Sequence, residues 1–329
     1  MLKKTMALHL FNPYFWAISL RNFLYDKGIK KTKILPCFVI SVGNLSCGGT
    51  GKTSLIRYLA ETFSKDYKVG ILLRGYKRKS KGFRWVLKEG QILCTLEEAG
   101  DEAFMLANLL KEIPKLKLAV CEDRFAGGLT LYRESQIDLL LLDDAFQHRK
   151  LYRDLDLVLL KKEDIEDDLL PFGKLREPLK AIKRADAIIL TYQEIAPFNF
   201  SYKNKPVFKL FRKNWKILNK EKNELENWQN YEFIAFCGLG DNQQFLKTLS
   251  SLQIKVKNFI SLPDHYSYKN FQLLLKENYI TTYKDYIKLP PSPNLYFLDF
   301  QIEIPGLFEF ITSFLSKSSK LSLKLSLNN

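Results

Sequence analysis

The 329-residue chain is poor in the residues that build metal and disulfide sites. Its five cysteines are an odd number, and none of them stands in a Cys-x-x-Cys pair. This usage argues against a disulfide framework or a zinc site and favours a reducing compartment. Only three histidines occur, so any metal site has to use carboxylates and hydroxyls, which are donors that suit Mg²⁺ better than zinc.

Long hydrophobic runs are also missing, because no segment of the sequence reaches the roughly 18–20 apolar residues that a membrane span needs. Residues 8–20 come closest, but Asn12 and Pro13 interrupt them and no small-residue cleavage site follows, so we expect neither a span nor a signal peptide. The segment is basic and aromatic, which is typical of a helix in a membrane interface. A helix packed on the protein's own surface would give the same pattern. The residues concerned are Lys3, Lys4, Phe11, Tyr14, Phe15, Trp16, Arg21, Phe23, Tyr25 and Lys27.

Positive charge is in excess, since 51 Lys and Arg face 36 Asp and Glu and give a formal net charge of +15. Such a surplus attracts anionic partners, namely nucleic acid, acidic lipid or a phosphorylated substrate. The abundance of Lys and Asn throughout the chain offers a second, compositional explanation, in which much of the charge is a solvated surface. The sequence contains no recognisable nucleic-acid-binding module or base-stacking motif, so we expect no nucleic acid among the partners.

Short apolar runs alternate with helical stretches, a pattern that predicts parallel sheets covered by helices on both faces. The pattern runs through the first half of the chain and then restarts, which predicts two α/β domains. A hydrophobic content of 46% is enough for a full core and argues against global disorder. The predicted strands are residues 37–42, 69–73, 116–121, 137–142, 155–160, 185–191, 206–211, 233–236, 256–261, 279–282 and 295–304, and the predicted helices are residues 53–64, 101–111, 127–134, 242–252, 268–277 and 307–315.

The most specific motif lies between the first predicted strand and the first predicted helix, which is the context that a P-loop requires. Glycines there let backbone N–H groups approach phosphate oxygens, and the helix N-terminus adds positive potential. We expect Lys52 to reach the β- and γ-phosphates and Thr53 to bind Mg²⁺ through its hydroxyl. A glycine-rich turn without a ligand is the alternative, and Ser46 stands where such loops usually begin with glycine. The predicted nucleotide-binding residues are Ser46, Cys47, Gly48, Gly49, Thr50, Gly51, Lys52 and Thr53.

Two acids, Asp143 and Asp144, follow the predicted strand 137–142. An acid at the carboxyl end of a buried strand beside a P-loop holds Mg²⁺ directly or through water. An ordinary strand end would explain the pair without any ligand. Together with Thr53, the two acids are the predicted metal ligands. The sequence shows no convincing Asn-Lys-x-Asp block for guanine, which favours ATP as the nucleotide.

With these motifs in place, the sequence resembles the tetraacyldisaccharide 4'-kinase (lipid A 4'-kinase) family. The resemblance spans residues 41–285 and rests on blocks that occur in the family's order. Two residues depart from the family pattern, because Ala145 stands where the family often has glycine and Tyr283 where it usually has glutamate. The blocks are Ser41-Val42-Gly43-Asn44-Leu45, Gly48-Gly49-Thr50-Gly51-Lys52-Thr53, Leu73-Arg74-Gly75-Tyr76, Gly100-Asp101-Glu102-Ala103, Asp143-Asp144-Ala145-Phe146-Gln147-His148, Arg153-Asp154, Gly173-Lys174-Leu175-Arg176-Glu177-Pro178, Pro263-Asp264-His265 and Thr281-Thr282-Tyr283-Lys284-Asp285.

The resemblance implies transfer of the ATP γ-phosphate to the 4' hydroxyl of tetraacyldisaccharide 1-phosphate, an acylated diglucosamine lipid, in lipid A biosynthesis. It implies ATP and Mg²⁺ as cofactors and a peripheral position on the cytoplasmic face of the inner membrane of a Gram-negative bacterium. An anionic substrate embedded in a membrane fits the basic excess and the N-terminal segment. The alternative function is a P-loop NTPase of the regulatory or metallochaperone type that acts on a protein partner.

The resemblance also implies roles for single residues. Asp101 is the expected catalytic base, although Asp at a predicted helix start is also a common N-cap. His265 is its expected partner, orienting the carboxylate and helping to carry the proton away; a loop histidine without a task is the alternative. Because His265 falls in the second predicted domain, we expect a cleft between the domains that closes for chemistry. An arginine offers a planar fork for phosphate, and a surface ion pair is the alternative role for each arginine. The candidates for holding the substrate's phosphate and sugar are Arg74, Arg124, His148 and Arg176.

The family architecture implied by the resemblance consists of two α/β/α domains joined by a small two-stranded linker. We accordingly predict a P-loop NTPase-type parallel-sheet domain over residues 1–154, to which the chain returns at residues 305–329. A second, smaller α/β domain is predicted over residues 155–304. The apolar runs 155–160 and 295–304 are the predicted linker strands.

Overall fold

The computed structural model describes residues 12–321. Lys3, Lys4 and Phe11 of the predicted interfacial segment lie outside the described residues. The chain divides into two compact units. The second unit consists of Tyr192–Pro197 and Phe211–Glu303, and the first unit contains the rest of the described chain, including Phe198–Leu210.

A nine-stranded sheet forms the centre of the first unit. Its strands are β1 (Phe38–Asn44), β2 (Val69–Leu73), β3 (Arg84–Lys88), β4 (Gln91–Ile92), β5 (Lys117–Val120), β6 (Leu139–Asp143), β7 (Leu155–Leu160), β8 (Ala187–Leu190) and β9 (Val207–Lys209). Their order in the sheet is β4-β3-β5-β2-β6-β1-β7-β8-β9. Every neighbouring pair from β5 to β9 is parallel, whereas β3 runs antiparallel to both β4 and β5.

Both faces of this sheet are buried, as expected for parallel strands flanked by helices. Val39, Leu72 and Leu140 pack on one face in a cluster that includes Leu131. Side chains alternate along a strand, and the residues between these positions are buried as well. The first five helices are α1 (Pro13–Asp26), α2 (Lys52–Phe63), α3 (Leu96–Ala99), α4 (Asp101–Leu110) and α5 (Arg124–Ser135). Among them, α2 packs on β1, β2 and β6, and α5 packs on β2 and β5.

A five-stranded sheet forms the centre of the second unit. Its strands are β10 (Phe211–Leu218), β11 (Glu232–Cys237), β12 (Lys255–Ser261), β13 (Asn278–Thr282) and β14 (Leu295–Glu303), with helices α6 (Asn242–Ser251) and α7 (Tyr283–Tyr286). The order is β10-β14-β13-β11-β12, and β10 alone among these strands runs antiparallel to its neighbour. After this unit, α8 (Leu307–Ser316) returns to the first one.

The predicted α/β class with parallel sheets is confirmed, and every predicted strand overlaps an observed one. The predicted helix at 268–277 is wrong, because this stretch consists of turns and loop. Side chains from elsewhere engage the backbone groups that a helix would use. The Leu274 N–H donates to the Tyr279 hydroxyl at 3.0 Å, and the Asn294 amide donates to the Leu274 carbonyl at 2.9 Å.

The division into units differs from the predicted boundary at residue 155. Strand β7 pairs with β1 on one side and β8 on the other, so it lies within the large sheet and is not a linker strand. A continuous apolar run predicts a buried parallel strand but does not tell which sheet the strand joins. The other predicted linker strand, β14, ends where the chain returns to the first unit, and its antiparallel partner is β10.

Close approach of two chain segments at Gly43 yields a stability prediction. A Cβ atom at Gly43 would lie 2.5 Å from the Phe146 Cβ and 2.9 Å from the Phe146 backbone nitrogen. We expect Gly43→Ala to lower the free energy of unfolding by about 1–3 kcal/mol, because the backbone after β6 has to move. Urea unfolding measures this change. Gly49→Ala is the matched control, since a Cβ atom added there would meet no heavy atom of another residue beyond its chain neighbours within 4 Å; equal stability of the two variants would contradict the packing argument.

Candidate active site

The loop between β1 and α2 lies at the carboxyl edge of the large sheet. Gly48 and Gly51 have φ angles of +101° and +85°, in the region that favours glycine. Gly51 is the N-cap of α2, and no side chain caps this helix. The first N–H groups of α2 are therefore available to another acceptor, and the helix N-terminus favours a negatively charged one.

Asn44, the last residue of β1, connects the loop to its surroundings. Its side-chain amide donates to the Ser46 carbonyl at 2.8 Å, and its own carbonyl accepts a hydrogen bond from Gln147 at 2.8 Å. The Lys52 Nζ donates to the Asn44 Oδ1 at 3.1 Å and lies 3.4 Å from the Asp144 Oδ1. The ammonium group is thus held at the start of α2, between the ends of β1 and β6.

Arg176 brings a second cation to the same place. Its guanidinium donates two hydrogen bonds to the Asp144 carboxylate, at 2.9 and 2.8 Å, and a further one to the Asn44 Oδ1. Burial raises the pKa of Asp144, but the charges of Lys52 and Arg176 outweigh it and hold that pKa well below its ordinary value. Asp144 is therefore ionised at neutral pH, and it gathers both cations beside the loop.

Asp143, the last residue of β6, is buried, and its Oδ1 has no hydrogen-bond partner in the described part of the chain. Burial, helped by the charges of Asp144 and Glu102 and opposed by Lys52, raises the pKa of Asp143 to about 7. An unpaired buried carboxylate oxygen beside a phosphate loop fits a divalent cation, and Thr53 in the first turn of α2 offers a hydroxyl. Residues 12–321 contain no group of three or more His, Cys, Asp or Glu that could hold a metal. The donor set fits Mg²⁺, which takes few protein ligands and completes its shell with phosphate oxygens and water.

Arg124 and His148 lie near the end of β6. The Arg124 guanidinium donates to the carbonyls of Cys121 at 2.8 Å and Asp143 at 3.2 Å, so it braces the ends of β5 and β6. Burial lowers the pKa of Arg124, and among the nearby charges the exposed Arg74 lowers it further. Burial and then the charge of Arg124 lower the pKa of His148 to about 4, so its imidazole is neutral at pH 7. The structure thus brings these three predicted residues to the same edge of the sheet, with Arg124 engaged by backbone.

Asp101 is the first residue of α4. Gly100 takes the N-cap position of this helix and no side chain caps it, so Asp101 is not an N-cap. The charge of the next residue, Glu102, raises the pKa of Asp143. The start of α4 therefore lies close to the end of β6. The Asp101 carboxylate is half-buried and lies at a helix N-terminus, where negative charge is favourable.

His265 belongs to the second unit, in the loop after β12. Its φ angle of +65° is unusual for a residue other than glycine, a conformation that costs about 1–3 kcal/mol. Its Nε2 lies 3.7 Å from the Asp264 carboxylate, which also accepts a hydrogen bond from Lys284 at 2.8 Å. Lys284 follows Tyr283, whose ring packs on Phe297 with the centroids 4.7 Å apart. The block around Tyr283 therefore supports the His265 loop through Asp264.

Three residues of this region were not selected from the sequence as site residues. Asn44 binds both cations, Gln147 binds the backbone of Asn44, and Glu102 influences Asp143. Each stands in one of the sequence blocks, one or two positions from a residue that was selected. Their position in a block was therefore the available signal, but the contacts themselves join segments far apart in the chain.

Comparisons with known proteins agree along nearly the whole chain. Residues 5–316 match the sequence model of a family described as tetraacyldisaccharide-1-P 4'-kinase. The chain is 52% identical over 289 residues to tetraacyldisaccharide 4'-kinase of Aquifex aeolicus, covering 87% of this chain and 90% of that protein. It is 33% identical over 324 residues to the protein of the same name from Syntrophus aciditrophicus, covering 88% and 86%. A crystal structure of LpxK from Aquifex aeolicus in complex with ATP matches with a TM-score of 0.83 and 48% identity, over 96% of this chain and 100% of that one.

The buried Asp143 yields a prediction about stability and pH. Its pKa of about 7 in the folded protein lies above the roughly 3.9 of an unfolded Asp. Between about pH 4 and pH 7 this side chain is ionised in the unfolded chain but protonated in the folded protein. The free energy of unfolding therefore falls as the pH rises through this range. An amide at this position does not titrate. In urea unfolding with a chelator present, we expect Asp143→Asn to gain about 2–3 kcal/mol relative to wild type between pH 5 and pH 8. A difference that is the same at both pH values would contradict the raised pKa.

Proposed function

The chain belongs to the tetraacyldisaccharide-1-P 4'-kinase family, and we propose how its residues carry out the reaction of that family. The protein is an ATP-dependent kinase that transfers the γ-phosphate to the 4' hydroxyl of tetraacyldisaccharide 1-phosphate, a lipid A precursor. The alternative of an NTPase acting on a protein partner is not favoured, because named members of the family are kinases of a lipid-linked sugar. The convergence of Lys52 and Arg176 on Asp144, beside an uncapped helix N-terminus, is the observation that carries the assignment of residues.

The residues 46–53 bind the phosphates of ATP. Backbone N–H groups of the loop and of the first turn of α2 donate to phosphate oxygens, and Lys52 and Arg176 neutralise their charge. In doing so, the two cations exchange the Asp144 carboxylate for phosphate oxygens. Asp143, Asp144 and Thr53 are the residues that would hold Mg²⁺, which would supply charge neutralisation for phosphoryl transfer.

The attacking hydroxyl needs a group that takes its proton, and Asp101 fills this role. Its carboxylate stands in the first turn of α4, next to Glu102, whose charge acts on Asp143. Proton transfer to a positioned carboxylate fits the requirement for positioning and charge neutralisation in this chemistry. The family resemblance implies His265 as its partner in the reaction, and within the second unit the contacts of Asp264 with Lys284 and His265 keep the imidazole in a defined loop conformation.

Arg74 is the exposed cation among the candidates for holding the lipid substrate. It follows β2 directly and lies near Arg124. A guanidinium that is not engaged by buried backbone suits a phosphate or sugar hydroxyl. Arg124 is held by its bonds to the backbone at the ends of β5 and β6, and its charge acts on both Arg74 and His148.

Transfer of labelled γ-phosphate tests the assignment of Asp101. Wild-type protein with Mg–ATP and tetraacyldisaccharide 1-phosphate in detergent micelles should label the lipid. We expect Asp101→Ala to slow transfer by about 10²-fold or more, because the hydroxyl proton loses its acceptor. Asp66→Ala, an exposed acid just after α2, is the matched control and should transfer at the wild-type rate. A wild-type rate of transfer by Asp101→Ala would show that Asp101 is not the base. Hydrolysis of ATP by the wild-type protein without labelled lipid would contradict the assignment of the lipid as acceptor.

Helix α1 gives the kinase its contact with the membrane. Trp16, Leu20 and Phe23 are 54%, 60% and 50% exposed and follow one another at the spacing of a single helix face. Lysines follow the helix at its carboxyl end, which suits the anionic surface of the cytoplasmic leaflet. Within residues 12–321 no helix is long and apolar enough to cross a bilayer. We propose a peripheral position on the cytoplasmic face of the inner membrane, where the lipid substrate lies, and the exposed apolar face of α1 supports this proposal.

Vesicle binding tests this contact. The triple variant Trp16→Ser, Leu20→Ser and Phe23→Ser should lose most of its binding to vesicles that contain anionic lipid, because each side chain gives up buried apolar area worth about 1.5–3 kcal/mol when fully transferred. Sedimentation with vesicles gives the bound fraction. Leu93→Ser is the control, since Leu93 is also an exposed leucine but lies after β4. Unchanged binding by the triple variant would show that another surface meets the membrane.

A further inference from the structure

The segment of residues 169–178, here called the Arg176 segment, lies against the start of the phosphate loop. The Cys47 N–H donates to the Lys174 carbonyl at 2.8 Å, and the Arg176 N–H donates to the Leu45 carbonyl at 2.6 Å. These bonds fix the backbone of Arg176 on the side of β1. The guanidinium that meets Asp144 thus projects from a strand-like stretch that follows the loop.

The same segment is bound from its other side by α1. The Tyr14 hydroxyl donates to the carbonyl of Arg176 itself at 3.0 Å. The Asn12 amide donates to the Leu170 carbonyl at 2.9 Å, while its Oδ1 caps the start of α1. The backbone of Arg176 is therefore held through its N–H by Leu45, the residue directly after β1, and through its carbonyl by Tyr14 of α1.

Glu177, the residue after Arg176, strengthens this link and has no part in the reaction described above. Its carboxylate is 0% exposed. One oxygen accepts hydrogen bonds from Arg21 at 2.7 Å and Asn22 at 2.9 Å, both on α1, and the other accepts one from Arg184 at 2.6 Å. A buried carboxylate is tolerated only when it is paired in this way, so replacing it leaves buried donors without an acceptor.

We propose that Glu177 is a positioning residue for the kinase: it fixes the Arg176 segment to α1 and thereby sets the place of the Arg176 guanidinium in the nucleotide site. The affinity for ATP then depends on contacts made by the helix that meets the membrane. Small displacements matter here, because a bidentate pair and a phosphate contact both require the guanidinium within a narrow range of positions. The inference rests on the proposed function of Arg176 in binding the phosphates of ATP.

A double-mutant cycle tests the proposal through Arg176 rather than through stability. Binding of Mg–ATP to the full chain is measured by calorimetry for wild type, Glu177→Gln, Arg176→Ala and the double variant. We expect Glu177→Gln alone to weaken binding about five- to tenfold and Arg176→Ala to weaken it at least as much. The double variant should bind no more weakly than Arg176→Ala, because Glu177 acts only through that side chain.

Two further variants complete the experiment. Asp26→Asn controls for the loss of an ion-paired carboxylate elsewhere in the protein, and Arg21→Gln guards against a folding defect of Glu177→Gln. Asp26→Asn removes an acid of α1 that pairs with Arg149 at 2.6 Å but has no bond to the Arg176 segment, and it should bind ATP as wild type does. If Glu177→Gln does not fold, Arg21→Gln takes its place in the cycle, because Arg21 is the half-exposed partner of the same carboxylate.

The outcomes separate the two claims. Multiplicative weakening in the double variant, or unchanged ATP binding by both Glu177→Gln and Arg21→Gln, would overturn the positioning role while leaving Arg176 in the site. Unchanged binding by Arg176→Ala would overturn the proposed function of Arg176, and the inference would fall with it. Weakening by Glu177→Gln that disappears in the Arg176→Ala background, with Asp26→Asn unchanged, supports the proposal.

Discussion

The parallel pairing of β1 with β6 is the constraint on which the rest of the site depends. The register joins Val42 to Asp143, so the phosphate loop and the two acids leave the sheet at the same edge. Parallel strands place their carboxyl ends together, which is why a loop after one strand and acids after another form one site. Gly43 is part of this constraint, because only the absence of a Cβ lets the chain at Phe146 approach β1 so closely.

Asp143 and Asp144 are consecutive residues, but their different surroundings shift their pKa values in opposite directions. Asp143 points into the protein, where burial outweighs the attraction of Lys52 and raises its pKa. Asp144 meets Lys52 and Arg176 directly, and the two cations more than offset its burial. Asp143 therefore offers a buried carboxylate oxygen that has no hydrogen-bond partner among the described residues. Asp144 stays ionised and keeps Lys52 and Arg176 in place. The first property suits a metal ligand, and the second preserves the phosphate-binding charges while no phosphate is bound.

Local patterns were enough to predict most of the strands, though not β3 and β4, together with the phosphate loop and the acids after β6, because each of these features is encoded within about ten consecutive residues. The assignment of β7 to the large sheet and the loop at 268–277 were not predictable in this way. Both are decided by partners distant in the chain, β1 in the first case and Asn294 with Tyr279 in the second. The same holds for the site, where Asn44 and Arg176 are 132 residues apart yet share a hydrogen bond. The periodicity of apolar residues along the sequence gives no information about a contact between residues so far apart.

Helix α1 has two faces with different contacts, one packed on the protein and one exposed. Trp16, Leu20 and Phe23 recur on one face, while Tyr14 and Arg21 lie on the face that binds the Arg176 segment. The sequence pattern alone allowed either an interfacial helix or a helix packed on the protein, and the structure shows that packing on the protein uses only part of its surface. Side chains three or four residues apart share a face of a helix, so fourteen residues suffice to form both the packed face and the exposed face. A kinase that brings soluble ATP to an acceptor held in a bilayer needs its nucleotide site close to the membrane surface. With the membrane contact proposed above, a helix that binds the Arg176 backbone on one side and exposes Trp16, Leu20 and Phe23 on the other meets that need.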